Sequence, residues 1–308
     1  MSIQQTLAVN PREPYSESHP RHPGMAPRSV DQAGQSTMGP TRLVNQDRFL
    51  SRHPIYIVAD GVGGRLGGER ASKIALSEAA HRARELILAS PTGPYGKSPL
   101  SLKDLEDVAV RCQRAVREAA DQDPGLRRMA TTLTMAIVTW PIVQVVHVGD
   151  SRCYALRHGN LQLMTEDQTV GGRLYRAGVM TEAALERSPL RDILASSISG
   201  GEKDAKPQIA QWRLQPGDTL LLCTDGVSGV LSERDMLDIV RHAPTAEWAS
   251  RSLIRAARQA ETTDDATAVV ARFPAIVRGE SAERTWNGVP VAVETPEPAP
   301  RHLWTVAS

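Results

Sequence analysis

Short apolar runs bounded by turn-forming residues recur along this chain and read as strands. They are "IYIVAD", "TTLTMAIVTW", "IVQVVHV", "CYALRHGNLQLM", "DTLLLCTD" and "ATAVVARF". Other stretches carry a different period. From Gly67 to about Leu88, apolar side chains fall at Ile74, Ala75, Ala79, Ala83, Leu86 and Ile87, a helical stripe. Leu102 to Ala120 repeats it with Leu105, Val108, Ala109, Cys112 and Val116, and Leu231 to Ala260 predicts two more helices. "SPTGPYGKSPLS", Ser90 to Ser101, reads as a loop between the first two helices, and Gly159-Asn160 is a hairpin signal. Strands come in runs and helices in pairs, which argues for an α+β fold with antiparallel sheets. Residues 1–35, rich in Pro, Ser, Gly and Arg, and the proline-rich residues 275–308 show no period. Both are expected to be disordered tails, leaving residues 36–274 as the folded domain.

Composition narrows the function only slightly. Aromatics make up 4% of the 308 residues, so aliphatic side chains and alanine must fill the interior. The formal net charge of +1 gives no global attraction to nucleic acid or to a membrane surface. Cys112, Cys153 and Cys223 are far apart and suit reduced thiols better than a disulfide framework. The N-terminal stretch lacks the apolar core of a signal peptide. No run approaches the roughly 18 apolar residues of a membrane span. A soluble cytoplasmic protein is expected, with neither nucleic acid nor membrane as partner.

The stretch "YIVADGVGGRLGGERAS", Tyr56 to Ser72, raises the first question of chemistry. A dinucleotide fingerprint started at Gly61 and Gly63 fails at Leu66, where a third glycine is required. A phosphate-binding loop started at Gly63 and Gly68 meets Glu69 and Arg70 in place of the Lys and hydroxyl residue. The carboxylates are more informative. Asp60, Asp150 and Asp225 end strand-like runs, whereas Asp47 and Asp264 precede them. In antiparallel sheets the exit of one strand lies beside the start of its neighbour, so Asp47, Asp60, Asp225 and Asp264 can meet. Two carboxylates about 4 Å apart repel by about 4 kcal/mol at an effective dielectric of 20. A hard divalent cation removes that repulsion, and an all-oxygen donor set favours Mg²⁺ or Mn²⁺ over zinc. The competing reading is that each Asp caps a turn or starts a helix.

Six segments occur in an order that points to a family: "TRLVNQDRF", "YIVADGVGGRLGGERAS", "ATTLTMAIV", "VVHVGDSRCYAL", "LLLCTDGVSGVL" and "TTDDATAVVARF". They resemble the motifs of the metal-dependent serine/threonine protein phosphatases of type 2C, in their bacterial form, over roughly Thr41 to Phe273. The resemblance implies a four-layer α-β-β-α sandwich, with a flap at about residues 165–203. It implies that Asp60 bridges two Mg²⁺ or Mn²⁺ ions, with the Gly61 carbonyl on one of them. Asp225 and Asp264 would hold one ion, and Asp47 would reach the other through water. Asp150, with Asp225, matches ligands of a third, weaker ion. Arg42 occupies the position that grips the substrate phosphate. The implied reaction is hydrolysis of phosphoserine and phosphothreonine in proteins by a metal-bridged water, opposing a serine/threonine kinase, in a monomeric enzyme.

The chain departs from the pattern in several places. Gln46 stands where many members have Glu, and Arg65 where bacterial members have His, which leaves the general acid unassigned. Gln168 replaces a usual His beside the flap. Asp265 replaces the usual Asn, and either tightens metal binding or caps a turn. Gln46, Arg65 and Gln168 motivate an alternative, a phosphatase-like binding or regulatory module with little catalysis. The retained Asp47, Asp60, Asp225 and Asp264 argue against it.

Overall fold

The unbroken apolar runs are strands buried on both faces. The computed structural model describes residues 29–62, 67–89, 99–201 and 204–274. In chain order it has β1 (Asp31–Thr37), β2 (Arg48–Arg52), β3 (Ile55–Ala59), β4 (Gly61–Val62), α1 (Gly67–Ala89) and α2 (Leu102–Gln122). A 3-10 turn (Pro124–Leu126) leads to β5 (Ala130–Thr131), β6 (Leu133–Thr139), β7 (Ile142–Val148), β8 (Arg152–Arg157) and β9 (Asn160–Leu163). The segment after β9 holds α3 (Val170–Arg176), α4 (Glu182–Glu186) and β10 (Ile198–Ser199). The rest is β11 (Gln208–Arg213), β12 (Thr219–Cys223), α5 (Asp225–Ser228), α6 (Glu233–His242), α7 (Ala246–Gln259) and β13 (Ala266–Arg272).

Two five-stranded sheets, β1-β13-β12-β8-β9 and β11-β7-β6-β3-β2, and a small β10-β5-β4 ribbon account for these strands. All their pairings are antiparallel. Side-chain alternation along each central strand then fills two interfaces at once. In β3, Ile55 and Ile57 pack towards α1 and α2, while Tyr56 and Val58 pack against the other sheet. In β12, Leu220 and Leu222 face the β11-β7-β6-β3-β2 sheet, whereas Leu221 and Cys223 meet Met236, Val240 and Leu253 of α6 and α7. The result is the expected four-layer α-β-β-α sandwich. Each fully buried Leu, Ile or Val in these interfaces stabilises by about 1.5–3 kcal/mol.

Two expectations need correction. The N-terminal tail does not run to residue 35, because Asp31–Thr37 forms the edge strand β1, in register from Asp31↔Arg272 to Thr37↔Ala266. Its sequence, DQAGQST, has no apolar period to betray it; the backbone ladder holds it, and Asp31 accepts the Ala246 N–H that opens α7 at 2.8 Å. The β8–β9 hairpin turns one residue earlier than Gly159-Asn160. His158 and Gly159 carry the positive φ values, 50° and 77°, and Asn160 already pairs with Arg157. The expected helices of Leu231 to Ala260 are α6 and α7. The remainder of both tails and most of the Ser90 to Ser101 loop lie outside the described residues. No helix among the described residues is long and apolar enough to cross a membrane.

Candidate metal centre

The ends of β3, β7 and β12, and the starts of β2 and β13, carry the predicted carboxylates to one place. Asp47 and Asp60 are only 2% and 7% exposed. Asp60 follows β3 and is clamped through its backbone. Its N–H donates to Thr132 Oγ1 at 2.9 Å, and its carbonyl accepts from Thr131 Oγ1 and the Thr132 N–H, both at 2.8 Å. Asp47 precedes β2, and its Oδ2 accepts from Thr224 Oγ1 at 2.9 Å and Thr267 Oγ1 at 2.6 Å. Those threonines flank Asp225 and Asp264–Asp265 in sequence, so a buried hydroxyl beside each acidic motif aims the carboxylate of the third. Asp225 opens α5, and Asp264 lies just before β13 in an ion pair with Arg42.

Gly61 explains the glycine-rich stretch. A Cβ on Gly61 would lie 2.2 Å from the Gly68 carbonyl oxygen and 2.7 Å from that of Gln46. The glycines allow the backbone after Asp60 to lie directly on the first turn of α1. Asp150, 8% exposed, follows Gly149, whose positive φ of 112° closes the β7–β8 turn. Ser151 Oγ, next in the chain, is 2.8 Å from Thr132 Oγ1 and ties that turn to the Asp60 backbone. Gln168, where the resemblance expected His, anchors the flap. Its carbonyl accepts the Ala195 N–H at 2.8 Å, and its side chain accepts the Gly149 N–H at 3.1 Å. A cleft of about 670 Å³ is lined by Asp150 and Asp225 together with Arg176, Glu182 and Asp192. A second cleft of about 710 Å³, between α1 and α2, contains none of the predicted site residues.

Electrostatics make this cluster unusual. Burial, then the charges of Asp47 and Asp225, push the Asp60 carboxyl well above the ordinary carboxylate range. Burial raises Asp47 to about 7 against the hydrogen bonds of Thr267 and Thr224. Burial and Asp225 raise Asp150 to about 8. Burial raises Asp225 as well, opposed by a hydrogen bond from Asp60. Among the described residues, no three carboxylate, imidazole or thiol side chains stand in a ready-made coordination sphere. Hydrogen bonds from Thr224 and Thr267 to Asp47, and the Arg42–Asp264 pair, hold the carboxylates instead. The residues nevertheless fit a hard divalent cation. Asp47 Oδ1 and Asp225 Oδ1 are buried with no hydrogen-bond partner, a costly condition that a cation relieves. The donor set is all oxygen. His147 takes no part in the cluster: fully buried, with its imidazole pushed down to about 4 by burial, it bonds to Thr134 and the Glu166 carbonyl.

These shifts predict how stability depends on pH. The raised carboxyls mean that the folded protein holds protons more tightly than the unfolded chain does. Metal-free stability is therefore greatest in mild acid and falls as pH rises through about 7 to 8. A cation binds the deprotonated form and opposes that loss. The Mn²⁺-induced rise in melting temperature over an EDTA control is thus expected to be larger at about pH 8.5 than at about pH 5.5. An equal or larger rise at the lower pH would contradict it.

The structure places the sequence-predicted residues Arg42, Asp47, Asp60, Gly61, Asp150, Asp225 and Asp264 at this one end of the sandwich. Sequence reasoning missed Thr224, Thr267 and Thr132, whose only signal is a hydroxyl residue close to an acidic or strand-end motif. Arg65 lies outside the described residues.

Comparison with known proteins agrees with this geometry. Residues 40–269 match the family model described as Protein phosphatase 2C. The chain is 32% identical over 240 residues to serine/threonine protein phosphatase PstP of Mycobacterium tuberculosis, covering 78% of this chain but 44% of that protein. It thus spans less than half the length of that relative. Serine/threonine phosphatase stp of Listeria innocua is 28% identical over 241 residues, 75% of this chain and 89% of that protein. Among solved structures, M. tuberculosis PstP/Ppp superposes with a TM-score of 0.71 at 28% identity, over 80% of this chain and 99% of that one. The catalytic domain of PstP in complex with two manganese ions superposes with a TM-score of 0.68 at 28% identity, over 79% of this chain and 97% of that one.

Proposed function

The chain belongs to the protein phosphatase 2C family, and from that membership we propose that it hydrolyses phosphoserine and phosphothreonine in proteins with Mg²⁺ or Mn²⁺ as cofactor. The observation that carries the reading is the meeting of Asp47, Asp60, Asp225 and Asp264, with two buried carboxylate oxygens unpartnered and Arg42 alongside. Phosphate monoesters hydrolyse so slowly that rate enhancements of up to about 10²¹ are known. Divalent ions at such a site supply Lewis acidity, which lowers the pKa of water and neutralises phosphoryl oxygens.

The protein's own groups do the rest. Asp60, Asp225 and Asp264, with the Gly61 carbonyl, are the groups to hold the ions, and Asp47 supports them. Arg42, which pairs with Asp264 in this structure, offers a planar guanidinium suited to bidentate contact with a phosphoryl group. Asp150 lies beside Asp225 at the mouth of the cleft and is the candidate for an additional ion. Phosphoprotein substrates, opposition to a serine/threonine kinase, action as a monomer and residence in the cytoplasm follow as parts of the same proposal.

The test is hydrolysis of p-nitrophenyl phosphate and of a phosphothreonine peptide, with Mn²⁺, with EDTA, and with Asp225→Asn. Activity is expected only with the metal, and the substitution is expected to lower it on the order of 10²-fold or more. Survival of full activity in EDTA removes the metal-dependent mechanism. No activity with any divalent metal, despite a folded protein, favours the binding-module alternative.

A further inference from the structure

We propose that Asp265 is a positioning residue, whose carboxylate fastens the Gly39–Asp47 loop to the start of β13 and so sets the place of Arg42 and Asp47. The role rests on the phosphatase reading for what Arg42 and Asp47 do; the contacts are independent of it. Asp265 is 1% exposed, and both of its oxygens are used. Oδ1 accepts the Gly39 N–H at 2.8 Å, and Oδ2 accepts the Gln46 N–H at 2.7 Å. The two donors lie 226 and 219 residues away in sequence, and they bracket the loop. Between them, the Arg42 N–H donates to the Gly39 carbonyl at 3.1 Å, so the turn carrying Arg42 is built on one end of the clamp. Asp47 follows the other end directly.

The contact is close as well as polar. A Cβ on Gly39 would lie 2.6 Å from the Thr263 carbonyl oxygen, so the loop rests on the backbone leading into Asp264. The Asp265 N–H donates to Asp264 Oδ1 at 2.7 Å, and the same oxygen meets the Arg42 guanidinium. One short stretch therefore orients a metal-ligand candidate, the phosphate-gripping arginine and the loop that joins it to Asp47.

The residue type matters. A carboxylate takes an N–H on each oxygen, and both bonds are charge-assisted. The asparagine that the resemblance would place here has one acceptor oxygen, and its NH₂ would oppose the second N–H. Both oxygens of Asp265 are engaged by backbone N–H groups, a structural use of the carboxylate. These bonds reach across the fold, unlike a turn cap, and they have a consequence for the site. Misplacement of a reacting or gripping group by about 1 Å can cost on the order of 10²-fold in rate.

The experiment uses the full chain and the variants Asp265→Asn and Asp218→Asn. Asp218 is a comparable buried carboxylate that accepts the Gln215 N–H and Arg157, and it is not among the site residues. Calorimetric titration measures Mn²⁺ binding and then inorganic phosphate binding to the Mn²⁺-loaded protein; p-nitrophenyl phosphate kinetics give KM and kcat. Asp265→Asn is expected to weaken phosphate binding and raise KM about tenfold, with a smaller fall in kcat. Asp218→Asn is expected to lower the melting temperature and leave phosphate affinity within about twofold. In an Arg42→Ala background the Asp265→Asn effect on phosphate should shrink to below about twofold, because both act through the same guanidinium.

Unchanged phosphate affinity in Asp265→Asn, an undiminished effect without Arg42, or no phosphate binding by the wild type would each overturn the proposal. If Asp265→Asn does not fold, hydrogen exchange on the wild type decides. The Gly39 and Gln46 amides should be protected on the order of 10²-fold over that of exposed Leu43, and equal rates overturn the clamp. A wild type that binds Mn²⁺ and phosphate but hydrolyses no phosphoester counts against the phosphatase reading and leaves these tests standing.

Discussion

Replacing Asp60 by Asn is expected to abolish hydrolysis and, at the same time, to stabilise the metal-free protein. The two effects have one origin. Asp60 sits 7% exposed, with its backbone clamped by Thr131 and Thr132, so the isosteric amide keeps the fold of the loop. What it removes is a charge that burial, Asp47 and Asp225 all disfavour. Above neutral pH the metal-free folded state carries either that repulsion or a proton held well beyond the ordinary carboxylate range. Each pH unit of such holding costs about 1.4 kcal/mol. Asn escapes this cost, and each kcal/mol recovered raises the melting temperature of a domain of this size by about 2–4 °C. In Mn²⁺ the order reverses, because the variant lacks the charge that the cations neutralise. Catalysis should fall on the order of 10³-fold or more in kcat/KM, since loss of a single transition-state donor elsewhere already costs about 10²–10³. The readouts are melting curves in EDTA and in Mn²⁺ at about pH 8, beside p-nitrophenyl phosphate kinetics. A variant that melts below wild type in EDTA, or that keeps a tenth of its activity, would show that Asp60 is a turn residue.

That double signature also separates what the chain announces from what only its folding reveals. The central strands were legible because β3, β12 and β13 are buried on both faces and are apolar at most positions. The long helices were legible because α1 and α2 each cover one sheet face with a stripe of Ala, Val, Leu and Cys. β1 was not, because an edge strand is held by backbone bonds that any sequence can make, and its sequence, with Gly34 leaving room for the Phe49 ring, shows no apolar period. The shift of the β8–β9 turn by one residue has a similar cause. His158 adopts positive φ, which Asn or Gly usually supplies, and only the pairing of Arg157 with Asn160 reveals the register.

The acidic residues divide in the same way. Asp47, Asp60, Asp225 and Asp264 stand beside strand ends in motif order, so their meeting follows from antiparallel pairing. Asp265 sits next to Asp264 and reads like a fifth member of the cluster, yet its two bonds reach Gly39 and Gln46, more than 200 residues away. Thr224 and Thr267 aim Asp47 across comparable separations of 177 and 220 residues. No local pattern encodes such contacts. They arise where loops from both sheets converge, and they are what turns a set of carboxylates into a site with a fixed shape.

Gly61→Ala should be among the most damaging substitutions in the chain, while Gly67→Ala, six residues on, should be nearly neutral. Both glycines belong to one run, and composition alone cannot tell them apart. A Cβ at position 61 would sit 2.2 Å from the Gly68 oxygen, 2.4 Å from the Gly68 carbonyl carbon and 2.7 Å from the Gln46 oxygen. All three atoms are backbone, so no rotamer change relieves the overlap. Overpacking against side chains costs about 1–3 kcal/mol. Here β4, the first turn of α1 and the Asp47 loop must separate, which places the loss at about 4 kcal/mol or more, the upper end for single substitutions. The melting temperature should fall on the order of 10 °C. At Gly67 the new Cβ meets the Met129 Cβ at 3.1 Å, a contact that shifts of a few tenths of an ångström relieve. Gly67 is the first residue of α1, so alanine gains less there than the roughly 1 kcal/mol of a helix interior. The net change should stay within about 1 kcal/mol. Mn²⁺ affinity separates the two further: moving β4 carries the Asp60 carboxyl and the Gly61 carbonyl with it, whereas Gly67 is the first residue of α1. Denaturant melts and Mn²⁺ titrations of both variants make the comparison. Equal losses would mean that the close approach of Gly61 to Gly68 does not position the carboxylates.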